Sequence, residues 1–211
     1  GRPPGQGPAS ARTRSALYTA AELQLARDAE TEERDSRWIP YLHAVRGVLD
    51  ADAVLTSDSA PCCSHGALPH LRVGPEGRFL HPTGFGAPGY ALPAAIGAKT
   101  AHPDRQVVAL SGDGGLQSSV QELATAARLR LPLPIVVFDD GGHGEIRDET
   151  AAPGDAATAA GPAPVDLPAL ARAYGGRGEH ARTPQALAEA LARALDAPGP
   201  TLIAVPERPA R

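Results

Sequence analysis

Four short, largely apolar runs punctuate the chain: Ala53-Val54-Leu55-Thr56, Val107-Val108-Ala109-Leu110, Pro134-Ile135-Val136-Val137-Phe138 and Thr201-Leu202-Ile203-Ala204-Val205. They are continuous rather than alternating, so each predicts a strand covered on both faces. Segments with helical spacing lie between them. Ile39, Leu42, Val45 and Leu49 recur on one face, Tyr90 to Ala101 is Ala-rich and introduced by glycines, and Leu116 to Leu131 carries Val120, Leu123, Ala124, Ala127 and Leu131 on one side. Two further helices are predicted over Leu167 to Tyr174 and Pro184 to Ala197. This alternation predicts an α/β class chain: a doubly wound, mostly parallel sheet with helices on both faces.

Residues 36–211 form the predicted globular domain, which opens at Trp38 and Pro40, and residues 1–35 are expected to be a partly disordered linker or connecting helix. The first 15 or so residues are rich in Gly, Pro, Arg and Ser without periodicity. Ala16 to Arg34 is helix-prone but charged, with Glu30, Glu32, Glu33 and Arg34 close together. The 211 residues, 42% hydrophobic and 21% charged with a formal net charge of -4, suit one α/β domain. No basic surface recruits nucleic acid, because Lys99 is the single lysine. No run approaches the roughly 18 to 20 apolar residues needed to span a bilayer, and the N-terminus lacks an apolar signal core. A cytoplasmic location without membrane contact is therefore expected. Cys62 and Cys63 are adjacent, and neighbouring cysteines rarely form an unstrained disulfide, so a structural role is expected for both. Methionine is absent, which implies either removal of the initiator or a fragment of a longer chain.

Ligands of parallel sheets bind beyond the carboxyl ends of the strands, and two acidic, glycine-rich turns fall there. Ser111-Gly112-Asp113-Gly114-Gly115 links the strand ending at Leu110 to the helix expected near Leu116. Its glycines let backbone N–H groups approach an anion. A carboxylate beside a phosphate repels it unless a cation lies between them, so Asp113 points to a metal-bridged diphosphate. The second turn, Asp139-Asp140-Gly141-Gly142-His143-Gly144, follows the strand ending at Phe138. Carboxylates with a backbone carbonyl suit Mg²⁺ or Ca²⁺ rather than zinc. A lone Gly-Asp-Gly after a strand is often only a helix-capping turn, but two such turns on successive strands weaken that reading.

Other phosphate sites fit less well. Gly112-x-Gly114-x-x-Gln117 lacks the third glycine of a dinucleotide fingerprint, and no Gly-Lys-Ser/Thr exists for a Walker loop. No GxSxG elbow supports a serine hydrolase.

Gly112-Asp113-Gly114 followed by Asp140, 140 − 113 = 27 residues on, resembles the GDG motif with a downstream Asn or Asp pair of thiamine-diphosphate-dependent enzymes. Upstream, Thr83-Gly84-Phe85-Gly86-Ala87-Pro88-Gly89-Tyr90-Ala91-Leu92-Pro93-Ala94-Ala95-Ile96-Gly97-Ala98-Lys99 is similar to the acetolactate synthase and 2-oxo acid decarboxylase group. So are Gln121 to Ala126 and Gly144-Glu145-Ile146-Arg147. The resemblance covers about Trp38 to Pro206 and implies the thiamine-diphosphate-binding fold, specifically the diphosphate-binding domain. It implies Mg²⁺ held by the side chains of Asp113 and Asp140 and the carbonyl of Gly142, bridging the cofactor diphosphate. Gly114 and Gly115 would offer N–H groups, His143, Gly144 and Glu145 would line the diphosphate pocket, and Ser59, Gly86 and Pro88 would complete the cofactor's surroundings. His143 stands where the family often has tyrosine, which implies packing against the cofactor rather than catalysis.

Three departures stand out. Pro88 falls where the family has a bulky Met, Leu or Ile that bends the cofactor. Asp139 replaces an asparagine. The family's separate pyrimidine-binding domain, whose glutamate activates the cofactor ring, has no counterpart in 211 residues. The resemblance thus implies half an active site: a component of a decarboxylase or carboligase of small 2-oxo acids, completed by a partner domain within an oligomer. The alternatives are a non-catalytic binding module or degenerate fragment, and a plain α/β interaction domain. An unpartnered domain is expected to expose an apolar face around Phe85, Pro88 and Leu92.

Overall fold

The computed structural model describes residues 20–34, 36–141 and 165–207. Contacts divide the chain into two units, Gly1–Ser36 and Arg37–Arg211. In the first, helix α1 (Ala20–Arg34) leaves Leu23 and Leu25 exposed, as its charged sequence implies. No helix of the described residues is long and apolar enough to cross a membrane.

The second unit runs α2 (Ile39–Val48), β1 (Val54–Ser57), a π-helical turn (Cys62–Ala67), β2 (Arg78–Leu80), α3 (Ala91–Ala101) and β3 (Val107–Gly112). It continues with α4 (Asp113–Ser118), α5 (Glu122–Arg128), β4 (Pro134–Asp139), α6 (Leu167–Ala173), β5 (Arg177–His180), α7 (Pro184–Leu195) and β6 (Thr201–Pro206). Among the described residues the six strands form one sheet in the order β2-β1-β3-β4-β6-β5, every pair parallel. The expected doubly wound architecture is present, and its parallel character is complete.

Neighbouring residues of each inner strand feed opposite cores. Val108 and Leu110 join Val136, Phe138, Ile203 and Val205 beneath α2 and α7. Val107 and Ala109 join Ile135, Val137, Leu202 and Ala204 beneath α3, α5 and α6. This is why the runs read as continuous: both phases of the strand's two-residue period are apolar.

Three differences from the sequence reading have local causes. The edge strands β2 and β5 carry polar residues and were not expected, since short, charged strands suit an edge. At Gly178 in β5 an added Cβ would meet the Pro168 backbone carbonyl, so α6 sits directly on the strand. The single helix expected from Leu116 to Leu131 starts earlier, at Asp113, and breaks after Ser118, where Ser119 leaves helical geometry (φ -134, ψ 21). It ends at Arg128, and Arg130 turns left-handed (φ 51). Leu92 does not join an exposed apolar face: it is 2% exposed and belongs to the core beneath α3. Phe85, 94% exposed, and Pro88 do lie at the surface.

Lys99 is buried on α3 and donates to the carbonyls of Pro103 (2.9 Å) and Arg105 (2.7 Å). Burial lowers its pKa, opposed by the charge of Asp104. It closes the turn after the helix.

Candidate functional site

The sheet reverses its winding direction between β1 and β3: the chain leaves β1 outward to β2, then returns to β3 and proceeds to β4 on the other side. Loops leaving adjacent strands in opposite directions open a crevice at the carboxyl edge. Register places Ser57 beside Leu110 and Gly112 beside Phe138, so the exits of β1, β3 and β4 gather at one level.

A cleft of about 320 Å³ occupies this position, within the usual size range of ligand sites. Ser59 and Cys62 line it from β1, Gly112 to Gly115 from β3, Asp140 from β4, Glu207 from β6, and Pro88 from the loop before α3. Asp113 opens α4 after an extended Gly112 (φ -84, ψ 164) and is 7% exposed. Asp113 and Asp140, the latter half-buried, line the same cleft. The structure thus brings together Ser59, Pro88, Asp113, Gly114, Gly115 and Asp140. Gly86 (φ 69) lies beside Ser59, its ideal Cβ position 3.7 Å from Ser59 Oγ, without lining the cleft. Gly142, His143, Gly144 and Glu145 lie outside the described residues, as does Arg147.

The two members of the acidic pair differ in task. Asp139 ends β4 and its Oδ1 accepts from the Gly141 N–H at 3.0 Å, closing a tight turn in which Gly141 has φ 81. Only a residue tolerant of positive φ suits that position. Asp139 therefore shapes the turn that presents Asp140.

Cys62 forms a cleft wall. The Cys63 side chain hydrogen bond (Sγ to Sγ 3.8 Å) and burial push its thiol pKa well up, which keeps it a thiol rather than a nucleophilic thiolate. This agrees with a structural role.

Two acidic residues escaped sequence analysis. Glu207 follows β6 directly; its N–H donates to Asp139 O at 2.8 Å, and its Oε1 accepts from Trp38 Nε1 at 3.0 Å. Asp58 follows β1 and is 1% exposed, with its oxygens accepting from neighbouring backbone and from Ser111. Both repeat the pattern that marked Asp113 and Asp140, a carboxylate directly after an apolar strand. That signal was available at all four positions.

Beside Asp58, Ser57 Oγ lies 2.8 Å from His81 Nδ1. Burial lowers the His81 pKa from its ordinary 6.5, partly opposed by the charge of Asp58. The unfolded chain then holds the proton more tightly than the folded one. The stability contribution is complete above pH 6.5 and is lost as pH falls from there through the lower folded-state value. Thermal midpoints measured from pH 8 to pH 5 are expected to fall less steeply for His81→Gln than for the wild type; parallel curves would contradict the burial of the neutral ring.

Residues 60–205 match the family described as thiamine pyrophosphate enzyme, C-terminal TPP binding domain. The chain is 37% identical over 171 residues to an acetolactate synthase large subunit of Parasynechococcus marenigrum, covering 78% of this chain and 27% of that protein. It is 37% identical over 135 residues to a probable 2-ketoarginine decarboxylase of Pseudomonas aeruginosa, covering 64% and 24%. Among solved structures it is similar to a thiamine diphosphate-dependent 4-hydroxybenzoylformate decarboxylase of Rhodococcus jostii, with a TM-score of 0.67, 30% identity, and coverage of 80% of this chain and 32% of that one. The chain spans about a quarter of the length of these curated relatives.

Proposed function

The chain belongs to the thiamine pyrophosphate enzymes, as their C-terminal TPP-binding domain, and from that premise we propose that it anchors the cofactor diphosphate through Mg²⁺ held by Asp113, Asp140 and the carbonyl of Gly142. The observation that carries this reading is that Asp113 and Asp140, 27 residues apart in sequence, line one cleft at the crevice between β1 and β3. The residues present fit the group. Oxygen donors suit a hard cation, Gly114 and Gly115 line the cleft without side chains to fill it, and the volume is adequate for a diphosphate.

In this reading His143, Gly144 and Glu145 would line the diphosphate pocket, Ser59 would reach it from the loop after β1, and Gly86 and Pro88 would also contact the cofactor. Bound there, thiamine diphosphate supplies the electron sink for cleaving the bond between the carbonyl and carboxyl carbons of a small 2-oxo acid. The chain's own residues hold the diphosphate, orient it and exclude water. Decarboxylation or carboligation then requires a pyrimidine-binding domain with its glutamate, from a partner chain or another part of a longer polypeptide. An apolar groove of about 890 Å³ along α3, lined by Leu80, Tyr90, Pro93, Ala94 and Ala98 and meeting the cleft at Pro88, supports association there. We place the assembly, an oligomer, in the cytoplasm.

Calorimetric titration of thiamine diphosphate tests the binding step. Saturable heat is expected with Mg²⁺ and none with chelator; heat unaffected by chelator would overturn the metal-bridged reading. A second reading, binding without turnover, is favoured by Pro88, because a short, stiff ring lines the cleft where the family's bulky wedge would stand. Mg²⁺-dependent binding without release of CO₂ in the presence of a family pyrimidine-binding domain would select it.

A further inference from the structure

Asp58 is a buried carboxylate outside the cleft lining, and of the four groups that donate to it one belongs to a lining residue, Ser59, and two, on Gly89 and Ser111, adjoin lining residues. Oδ1 accepts from the N–H groups of Ser59 (3.0 Å), Gly89 (2.8 Å) and Tyr90 (3.2 Å). Oδ2 accepts from Ser111 Oγ at 3.0 Å. Ser59 is a wall of the cleft, Gly89 follows the Pro88 wall, and Ser111 precedes the Gly112 to Gly115 turn. At Gly115 an added Cβ would stand 2.6 Å from Asp58 Oδ2 and 2.8 Å from Asp58 Cγ, so the first turn of α4 rests directly on this carboxylate.

A carboxylate 1% exposed is costly unless donors surround it, and charge-assisted bonds are stronger than neutral ones. No single segment supplies these donors. They come from β1's exit, the loop before α3, and the end of β3; β1 and β3 already pair in the sheet, with Asp58 N donating to Leu110 O at 3.1 Å, and the Asp58 side chain ties the loop before α3 to that pair. The tight approach at Gly89, where an added Cβ would lie 3.0 Å from Ser118 Cβ, seats the same loop against α4.

We infer that Asp58 is the positioning residue of the cofactor cleft, fixing the Pro88 loop and the glycine turn at the spacing that the cofactor requires. This rests on the reading of the cleft as the thiamine diphosphate site. Asp58 does not touch the cofactor; it sets the separation of the groups that do.

The test is calorimetric titration of thiamine diphosphate with Mg²⁺ into the wild type, Asp58→Ala, Asp58→Asn, Ser111→Ala and, as a control for stability alone, Lys99→Met at the far end of α3. Asp58→Ala is expected to weaken binding about 10-fold or more, the scale of losing a residue that orients direct ligands. Asp58→Asn keeps an acceptor for Gly89 and Tyr90 and recovers most of the affinity, and Ser111→Ala loses less than Asp58→Ala. Lys99→Met binds as the wild type despite a lower thermal midpoint. Affinity of Asp58→Ala within twofold of the wild type, or an equal loss in Lys99→Met, overturns the proposal. Should Asp58→Ala fail to fold, Asp58→Asn and Ser111→Ala carry the comparison, and wild-type affinity in Ser111→Ala with no recovery in Asp58→Asn overturns it. If the wild type itself takes up no cofactor, the cofactor reading fails. Amide exchange then decides about Asp58: protected Gly89 and Tyr90 N–H groups that become fast in Asp58→Asn or Asp58→Ala support the role, and unprotected ones in the wild type overturn it.

Discussion

Asp113→Ala is expected to weaken Mg²⁺-dependent binding of thiamine diphosphate by about 30-fold to several thousand-fold, the equivalent of roughly 2 to 5 kcal/mol for removing one member of a desolvated charge pair. Asp113 begins α4, lines the cleft and is 7% exposed, so under the proposed function water would compensate poorly for its loss. Under the proposed function, its loss would leave Asp140 to hold the cation beside the phosphates. The apo protein is expected to behave differently. A carboxylate in the first turn of a helix contributes about 0.3 to 1 kcal/mol, so thermal stability without ligand falls only slightly. Calorimetry with Mg²⁺ and with chelator, paired with thermal unfolding of the apo form, separates the two effects. Unchanged Mg²⁺-dependent affinity in this variant would remove Asp113 from the site.

Leu110→Ala carries the second large effect, this time on the fold. Leu110 is fully buried in β3 and shares a core with Val108, Val136, Phe138 and Val205. Truncation leaves a cavity between the sheet and the elements above it, at a cost of about 2 to 5 kcal/mol. A domain of this size then loses about 5 to 15 °C in thermal midpoint. That is a large fraction of the roughly 5 to 15 kcal/mol that separates folded from unfolded domains. The Leu110 carbonyl also accepts from Asp58 N at 3.1 Å and from Cys63 Sγ at 3.5 Å. Slack in this strand is therefore transmitted to the carboxylate under the glycine turn. Circular dichroism melts check the prediction, and a shift under about 2 °C would mean that neighbouring side chains close the gap.

The inner strands were legible because burial on both faces demands an unbroken apolar run, as in Val107 to Leu110. The edge strand Arg177-Gly178-Glu179-His180 was not, because one edge meets solvent and its essential residue is a glycine chosen by the nearness of Pro168. The acidic turns after β3 and β4 were legible because glycines flank them. Asp58 and Glu207 sit after strands without that glycine context, and only the shared register of parallel strands brings them to the same edge. The break between α4 and α5 was hidden because the residues on either side of Ser119 keep helical spacing, while the turn follows from backbone geometry at a single position.

Pro88 belongs to both cavities, the cleft at the carboxyl edge of the sheet and the larger apolar groove along α3. Under the proposed function a ligand filling either cavity would touch the same peptide, so any coupling between the two occupancies would pass through Pro88. Linkage is reciprocal: whatever factor a docked partner adds to cofactor affinity, the cofactor adds to partner affinity. Under the proposed function, cofactor supply would then govern the fraction of this chain that is assembled as well as the fraction that is loaded.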